Sequence, residues 1–519
     1  MDMMNLPSAN PVILVCTTLL CALAFLYIRS RSSRLSSSLP PSPRRLPIIG
    51  NLHQLGASAH EALHTLSLKH GPLMLLHFGS VPTYIVSSGD LAMQVMKTRE
   101  AGFSGKPVTK ASLILLQGGA DVLLHPRWTQ TKKVSVTGLL SLKKVQSLQF
   151  IREEEVASLV SNIRSLVSDG TIDKRSHQRQ VNVSNMSLKL ASTILSRALL
   201  GLKSTADGGR ESNKIIGDLS KQAITLLHEK FAVGNFIPAL SWLDHLRGLT
   251  GEAEKVSQAI HEFLDRAIDE RETHQQSDAG DEKRNDDRKY FVDILLELQK
   301  KDMVIGHRLT RKDIRAILLI LFLGGFDSSA TNLEWAMAEL VKNPRVMKKL
   351  QDEIRGVVGK KSEIFQTDLD QMEYLKCVIK ETLRLHATTL AVRRSTEDVN
   401  VGGYKILANA NVLINIWAIH RDPAVWERPL EFVPERFLDA GYTYLGQDQK
   451  YFPFGLGRGI CPGIQFAMFG SEYSLANFLC WFNWELPEGM SVSNLDMSSN
   501  DIAAHRNVPL YLVPVHPAN

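Results

Sequence analysis

Cysteine is scarce in this chain: five residues among 519, at Cys16, Cys21, Cys377, Cys461 and Cys480. The first two fall in an N-terminal apolar run, and no Cys-x-x-Cys or Cys/His cluster occurs. This excludes a disulfide framework and a zinc site of ordinary spacing, and places the main body in a reducing compartment. The glycine fingerprint of a nicotinamide or flavin site is missing too, so any such electron source must be a separate protein. There is no internal repeat. Charge of either sign is undersupplied for nucleic-acid binding: the net charge is +6 and the pI near 8.9. That balance suits an anionic membrane surface or an acidic protein partner. With 44% hydrophobic and 22% charged residues the composition is globular, and length alone suggests about three domains of typical size.

Lys and Arg are also absent before residue 11. Pro11 to Ile28 then forms a run of 18 residues without charge, followed at once by Arg29, Arg31 and Arg34. Eighteen residues lie near the lower limit for a bilayer span. A cleaved signal peptide is the rival reading; the length of the run, the missing basic start and the lack of a clear small-residue cleavage site argue against it. The run reads as a transmembrane signal anchor, with residues 1–10 lumenal and the C-terminal body cytosolic by the positive-inside rule. Residues 29–50 form a basic, proline-rich hinge, because Pro40, Pro41, Pro43 and Pro47 cannot continue a helix. Beyond it, Leu73–Gly79 and Thr83–Ser88 read as two strands bounded by Gly79 and Gly89. Gly402-Gly403-Tyr404 and Val412–Asn415 suggest a small hairpin. The polar stretch from Glu270 to Lys289 reads as a mobile surface connection.

Three stretches carry chemistry. In Phe454-Gly-Leu-Gly-Arg-Gly-Ile-Cys-Pro-Gly463, glycines surround Cys461, and an apolar segment running to Trp481 follows as a buried helix. A thiol at the mouth of a helix feels the positive end of its dipole and favours thiolate, which suits a soft metal. Taken alone, the same cysteine also fits as a small core residue. The second stretch is a helix of about thirty residues, roughly 45–50 Å long, starting at Thr310-Arg-Lys-Asp313 and ending before Asn343-Pro344. Its centre reads Phe322-Leu-Gly-Gly-Phe-Asp-Ser-Ser329. Two glycines cost about 1 kcal/mol each against alanine in a helix; they open a groove beside Asp327 and Ser328, an acid and a hydroxyl able to pass protons. Close helix packing explains the glycines equally well. The third stretch, Glu381-Thr-Leu-Arg384, sets a carboxylate and a guanidinium on one helix face, which on a surface is an ordinary ion pair.

Together these stretches resemble the cytochrome P450 family, the haem-thiolate monooxygenases, over nearly the whole chain. The cysteine loop follows the pattern Phe-x-x-Gly-x-Arg-x-Cys-x-Gly at Phe454, Gly457, Cys461 and Gly463, but the Arg position holds Gly459 and Arg458 stands one place early. Gly324, Gly325, Asp327, Ser328 and Ser329 match the family's distal-helix motif, with Ser328 where threonine is usual. Trp128-Thr-Gln-Thr-Lys132 resembles its Trp-x-x-x-Arg, with Lys132 in place of arginine, which keeps the charge but loses the bidentate fork. After His386 the segment is about two residues shorter than in plant-type relatives and lacks their prolines.

The resemblance implies one large, mainly α-helical haem-thiolate domain with small β-sheets over residues 51–519. It implies haem b as cofactor, Cys461 as the axial ligand of the iron, and proton delivery through Asp327 and Ser328. Phe454, Gly457 and Gly463 would shape the haem loop, and Trp128, Lys132, Arg393 and Arg458 are candidates to hold the propionates. Glu381, Arg384 and Arg436 would form a buried structural cluster. The expected reaction inserts one oxygen atom from O₂ into a small lipophilic substrate. Expected partners are an NADPH-dependent flavoprotein reductase and membrane lipid, and the expected address is the endoplasmic-reticulum membrane. The altered distal serine and shortened segment keep a haem-thiolate isomerase or dehydratase open. The departures at Lys132, Ser328 and Gly459 keep open a non-catalytic membrane-anchored haem-binding protein.

Overall fold

The computed structural model describes residues 38–116, 135–168, 180–202, 207–229, 232–277, 289–300, 309–387, 389–499 and 503–517. The chain is mainly helical, with small sheets. Its longer helices are α1 (Ala59–His70), α2 (Gln149–Ser168), α3 (Val183–Leu200), α4 (Asp207–Ile224), α5 (Leu249–Ser277), α6 (Phe291–Lys300), α7 (Arg311–Lys342), α8 (Pro344–Val358), α9 (Glu373–His386) and α10 (Ile464–Trp481). The strands are β1 (Leu73–Phe78), β2 (Val81–Val86), β3 (Val181–Asn182), β4 (Leu390–Arg394), β5 (Val399–Val401), β6 (Tyr404–Ile406), β7 (Asn411–Asn415), β8 (Asn483–Glu485) and β9 (Tyr511–Val515).

Helix α7 is the axis of the large core. Thr310 and Asp313 form a reciprocal capping box: Thr310 Oγ1 accepts from the Asp313 amide and Asp313 Oδ2 from the Thr310 amide. This satisfies donors that a helix start otherwise leaves orphaned. Ile314, Leu318, Phe322, Phe326, Trp335 and Leu340 are buried along it, and α3, α9 and α10 pack against it. By length and composition α7 is apolar enough to cross a membrane, but 56% of its most apolar stretch is buried inside the protein. A long apolar core helix meets the same criterion. The anchor read at residues 11–28 lies outside the described residues.

The second core gathers around a four-stranded sheet in the order β1-β2-β7-β4. The two expected strands are present as β1 and β2, and they pair antiparallel, with Leu73 opposite Val86. The hairpin expected from Gly402-Gly403 joins β5 to β6 instead, with both glycines in left-handed backbone. Val412–Asn415 is not its second arm. That run lies in β7, parallel to β2 and antiparallel to β4, because its alternate buried residues Val412 and Ile414 serve the sheet core. A second correction concerns 270–289. α5 continues through Ser277, where Arg271 forks onto Asp293 of α6 at 2.8 and 2.7 Å; residues 278–288 lie outside the described set. At the other end, the hinge docks on the sheet: the Leu75 amide donates to Pro41 O at 2.9 Å, and Gly50 bridges to Phe78.

Candidate active site

The cysteine loop is shaped by its glycines. Gly455 and Gly457 have φ of +84° and +65°, a region costly for any residue with a Cβ. At Gly457 a Cβ would also lie 2.1 Å from the Met96 carbonyl oxygen. The loop closes through the Cys461 amide, which donates to Phe454 O at 3.0 Å. Cys461 is exposed, and its Sγ lies over Gly463, the N-cap of α10. The helix behind it is buried from Ser471 to Cys480. A sulfur at this end of a helix is stabilised as thiolate. The Phe454 ring meets Tyr444 edge to face at 6.1 Å.

Gly459 is extraordinary for a different reason. Its φ is not left-handed, but a Cβ there would lie 2.3 Å from Nη2 of Arg393 and 3.0 Å from its Cζ. The guanidinium of Arg393, arriving from β4, fills the space that a side chain at 459 would claim. Among the described residues its one hydrogen bond goes to Val392 O, at 3.0 Å. Burial lowers its pKa, and the charge of Glu100 only partly offsets this. Arg458 faces the other way: its side chain is 88% exposed and its Nε is 3.8 Å from Glu100. Trp128 and Lys132 lie outside the described residues.

Midway along α7 the two glycines have separate reasons. A Cβ on Gly325 would come within 3.1 Å of Leu195 on α3, so Gly325 permits close helix packing. A Cβ on Gly324 would meet nothing within 4 Å. Gly324 and Ser328 are exposed while Phe322 and Phe326 are buried, so this face of the helix borders open space. Ser328 Oγ donates back to Gly324 O at 2.8 Å, a bond that tends to bend helices. Asp327 Oδ2 is 2.6 Å from Nε2 of His505.

The structure brings Glu381, Arg384 and Arg436 together. Arg384 forks onto Glu381 at 2.7 and 2.9 Å, both side chains fully buried, and Arg436 Nε adds a third bond at 3.0 Å. Arg384 also donates to the carbonyls of His420, Pro429 and Glu431. His420 in turn accepts from the Phe452 amide at 3.2 Å, two residues before the loop opens at Phe454. The α9 pair therefore fixes the backbone leading into the cysteine loop. Burial, then the charges of Arg384 and Arg421, pulls the His420 pKa down to about 3, which keeps the ring neutral and able to accept.

The cytochrome P450 family model matches residues 40–512. The chain belongs to the cytochrome P450 family. Among its relatives, cytochrome P450 736A117 of Prunus mume is 41% identical over 94% of this chain and 92% of its own. Phenylacetaldehyde oxime monooxygenase of the same plant is 41% identical over 96% and 94%. Indoleacetaldoxime dehydratase of Arabidopsis thaliana is 39% identical over 96% and 98%. These three relatives are plant proteins.

The family implies a haem-thiolate cofactor, and the residues of this P450 fit it. Cys461 offers a soft anionic ligand at a helix mouth. Arg393 is a half-buried cation, and the charge that acts on it, Glu100, does not reach it in a salt bridge among the described residues, as a site for a carboxylate requires. Sequence reasoning missed His505 and His420. Neither belongs to a motif; each is a lone histidine followed by an arginine, a pattern that signals nothing by itself.

Proposed function

We propose that this cytochrome P450 inserts one oxygen atom from O₂ into a small lipophilic substrate of plant specialised metabolism. The observation that carries the reading is Cys461, exposed at the mouth of α10, a buried helix that packs against α7. Haem b, when bound, supplies the oxygen activation at its iron, which thiolate ligation favours. The chain's own residues do the rest. Cys461 would hold the iron, and Arg393 would pair with a propionate; Trp128 and Lys132 are further propionate candidates. Arg458 is the weaker candidate, since its side chain points to solvent. Gly324 keeps room beside the helix. Asp327 and Ser328 hold and pass protons at Oδ2 and Oγ. Electrons come from NADPH through a separate flavoprotein reductase, because the chain carries no nicotinamide or flavin fingerprint. Residues 11–28 anchor it in the endoplasmic-reticulum membrane, with the catalytic body in the cytosol.

The test is a metabolite screen in microsomes containing the chain and a plant reductase, under isotope-labelled O₂. Products that carry one labelled oxygen and need NADPH support the reading; no NADPH-dependent product from any plant extract fraction contradicts it. A second reading is favoured by one relative, whose name states that it dehydrates indoleacetaldoxime. A dehydration of that kind inserts no oxygen from O₂, so an unlabelled nitrile formed from an aldoxime without O₂ identifies it.

A further inference from the structure

Asp327 has a partner that no motif announces. Its Oδ2 is 2.6 Å from Nε2 of His505, 178 residues away in the chain. His505 belongs to the short segment 503–507, which is pinned across α7 on both sides of the ring. Trp335 Nε1 donates to Ala504 O at 2.6 Å, and Ala504 sits in left-handed backbone at φ +61°. Arg506 lies over the Trp335 ring at 5.0 Å, 3.4 Å from Glu334, and donates to Asp496 O at 2.6 Å. These contacts hold the imidazole against one carboxylate. Neither partner is sealed off: the His505 side chain is 26% exposed and that of Asp327 17%. The pair therefore joins solvent to the open face of α7.

We propose that His505 positions Asp327 and reloads it with protons from solvent. The imidazolium passes its Nε2 proton to Asp327 Oδ2, leaving a neutral imidazole and a carboxylic acid. The imidazole then takes a proton from water. No electron moves and no further reactant is required. The proposal rests on the reading of Asp327 as the proton-delivering acid. Histidine suits the task because its ordinary titration falls near neutral pH. Among the described residues, charged groups around it include Asp327 and Glu334 from α7, with Arg506 next to it in its own segment. Burial raises the Glu334 pKa; its hydrogen bond from Ser184 of α3 and the charges of Arg506 and His505 offset this in part.

The experiment uses the full chain with reductase and compares wild type with His505→Gln, His505→Arg and Asp327→Asn. Haem content and the CO-difference spectrum are measured first and are expected to match wild type. In wild type, the hydrogen peroxide released per NADPH rises as pH passes upward through the histidine range. His505→Gln is uncoupled at every pH, with a flat profile and product per NADPH down roughly tenfold, less than the about 10²–10⁴-fold that a lost proton donor costs, because Asp327 itself is retained. His505→Arg keeps an ion pair to Asp327, and so any purely structural clamp, but its guanidinium releases no proton in this range; it is uncoupled as well. A readout without turnover is the His505 ring titration in the resting protein, followed by NMR. Removing the opposite charge in Asp327→Asn moves its midpoint to lower pH. If His505→Arg couples like wild type, the contact is a clamp and the relay is overturned. If Asp327→Asn uncouples while His505→Gln does not, the acid reading stands and the histidine proposal falls. If Asp327→Asn itself couples like wild type, both fall.

Discussion

At the scale of single residues, Gly459 leaves room for the guanidinium of Arg393, the residue proposed to hold a propionate. From the sequence, Gly459→Arg is expected to restore a missing propionate anchor unless left-handed backbone forbids a side chain. The backbone is not left-handed; the obstacle is Arg393, whose guanidinium lies 2.3 Å from where a Cβ would stand. Gly459→Ala must push that guanidinium aside and offers nothing in return. A hydrogen bond to a charged group contributes about 1.5–3 kcal/mol, or roughly ten- to a hundredfold in affinity. Haem transfer to apomyoglobin is therefore expected to be about that much faster in both Gly459→Ala and Arg393→Ala, with the double variant no worse than Arg393→Ala alone. Additive losses would show that the two positions act independently. On α7, Ser328→Ala is expected to release more peroxide per NADPH consumed, and Ser328→Thr to behave like wild type, since the hydroxyl bonded to Gly324 O is retained. Peroxide release unchanged in Ser328→Ala would remove the hydroxyl from the proton path. Residue identity at Cys461, Asp327 and Glu381 was legible because each sits in a dense local pattern. The roles of Arg393 and His505 depend on neighbours 66 and 178 positions away in the chain, which no local pattern encodes.

At the scale of elements, the Glu381–Arg384–Arg436 cluster couples α9 to the run before the cysteine loop. Both members of the α9 pair are fully buried, and removing one partner of such a pair strands the other charge at a cost of about 3–5 kcal/mol. Glu381→Gln and Arg384→Leu are expected to lower expression and haem occupancy together; a haem-loaded, stable variant of either would show that the cluster is dispensable. His420 adds a pH dependence. The unfolded ring accepts a proton near the ordinary value of about 6.5, while burial delays this in the folded chain to about 3. Its contribution is full above about 6.5 and is lost as pH falls toward 3. Glu472 acts oppositely: burial, opposed in part by Lys376, raises its carboxyl to about 7, so its contribution is lost as pH rises from about 4.5 to 7. The thermal midpoint of His420→Gln is therefore expected to fall less steeply than that of wild type below pH 6.5; parallel profiles would contradict the assignment. The boundaries of α7 were legible from Thr310, Asp313 and Asn343, because capping is local chemistry. The partner of Val412–Asn415 was not: parallel pairing with β2 joins segments more than three hundred residues apart, and no turn residue signals it.

At the scale of the molecule, sequence and structure agree on a mainly helical fold with small sheets, and the family model covers residues 40–512. Length alone pointed to several domains. The continuous core around α7, α9 and α10 explains why that rule does not apply. The anchor proposed at residues 11–28 rests on a hydrophobic run in the sequence, and the described residues begin at Ser38. Deleting residues 1–37 is accordingly expected to shift the protein from the membrane fraction toward the soluble one while leaving its haem spectrum intact; loss of the spectrum would tie the segment to the fold. The central claim is that Cys461 presents a thiolate to haem iron. It is tested most directly by the CO-difference spectrum of the reduced, purified full chain and of Cys461→Ala. The wild-type chain is predicted to give the thiolate-type band and Cys461→Ala to lose it; an unchanged band in Cys461→Ala would contradict the account.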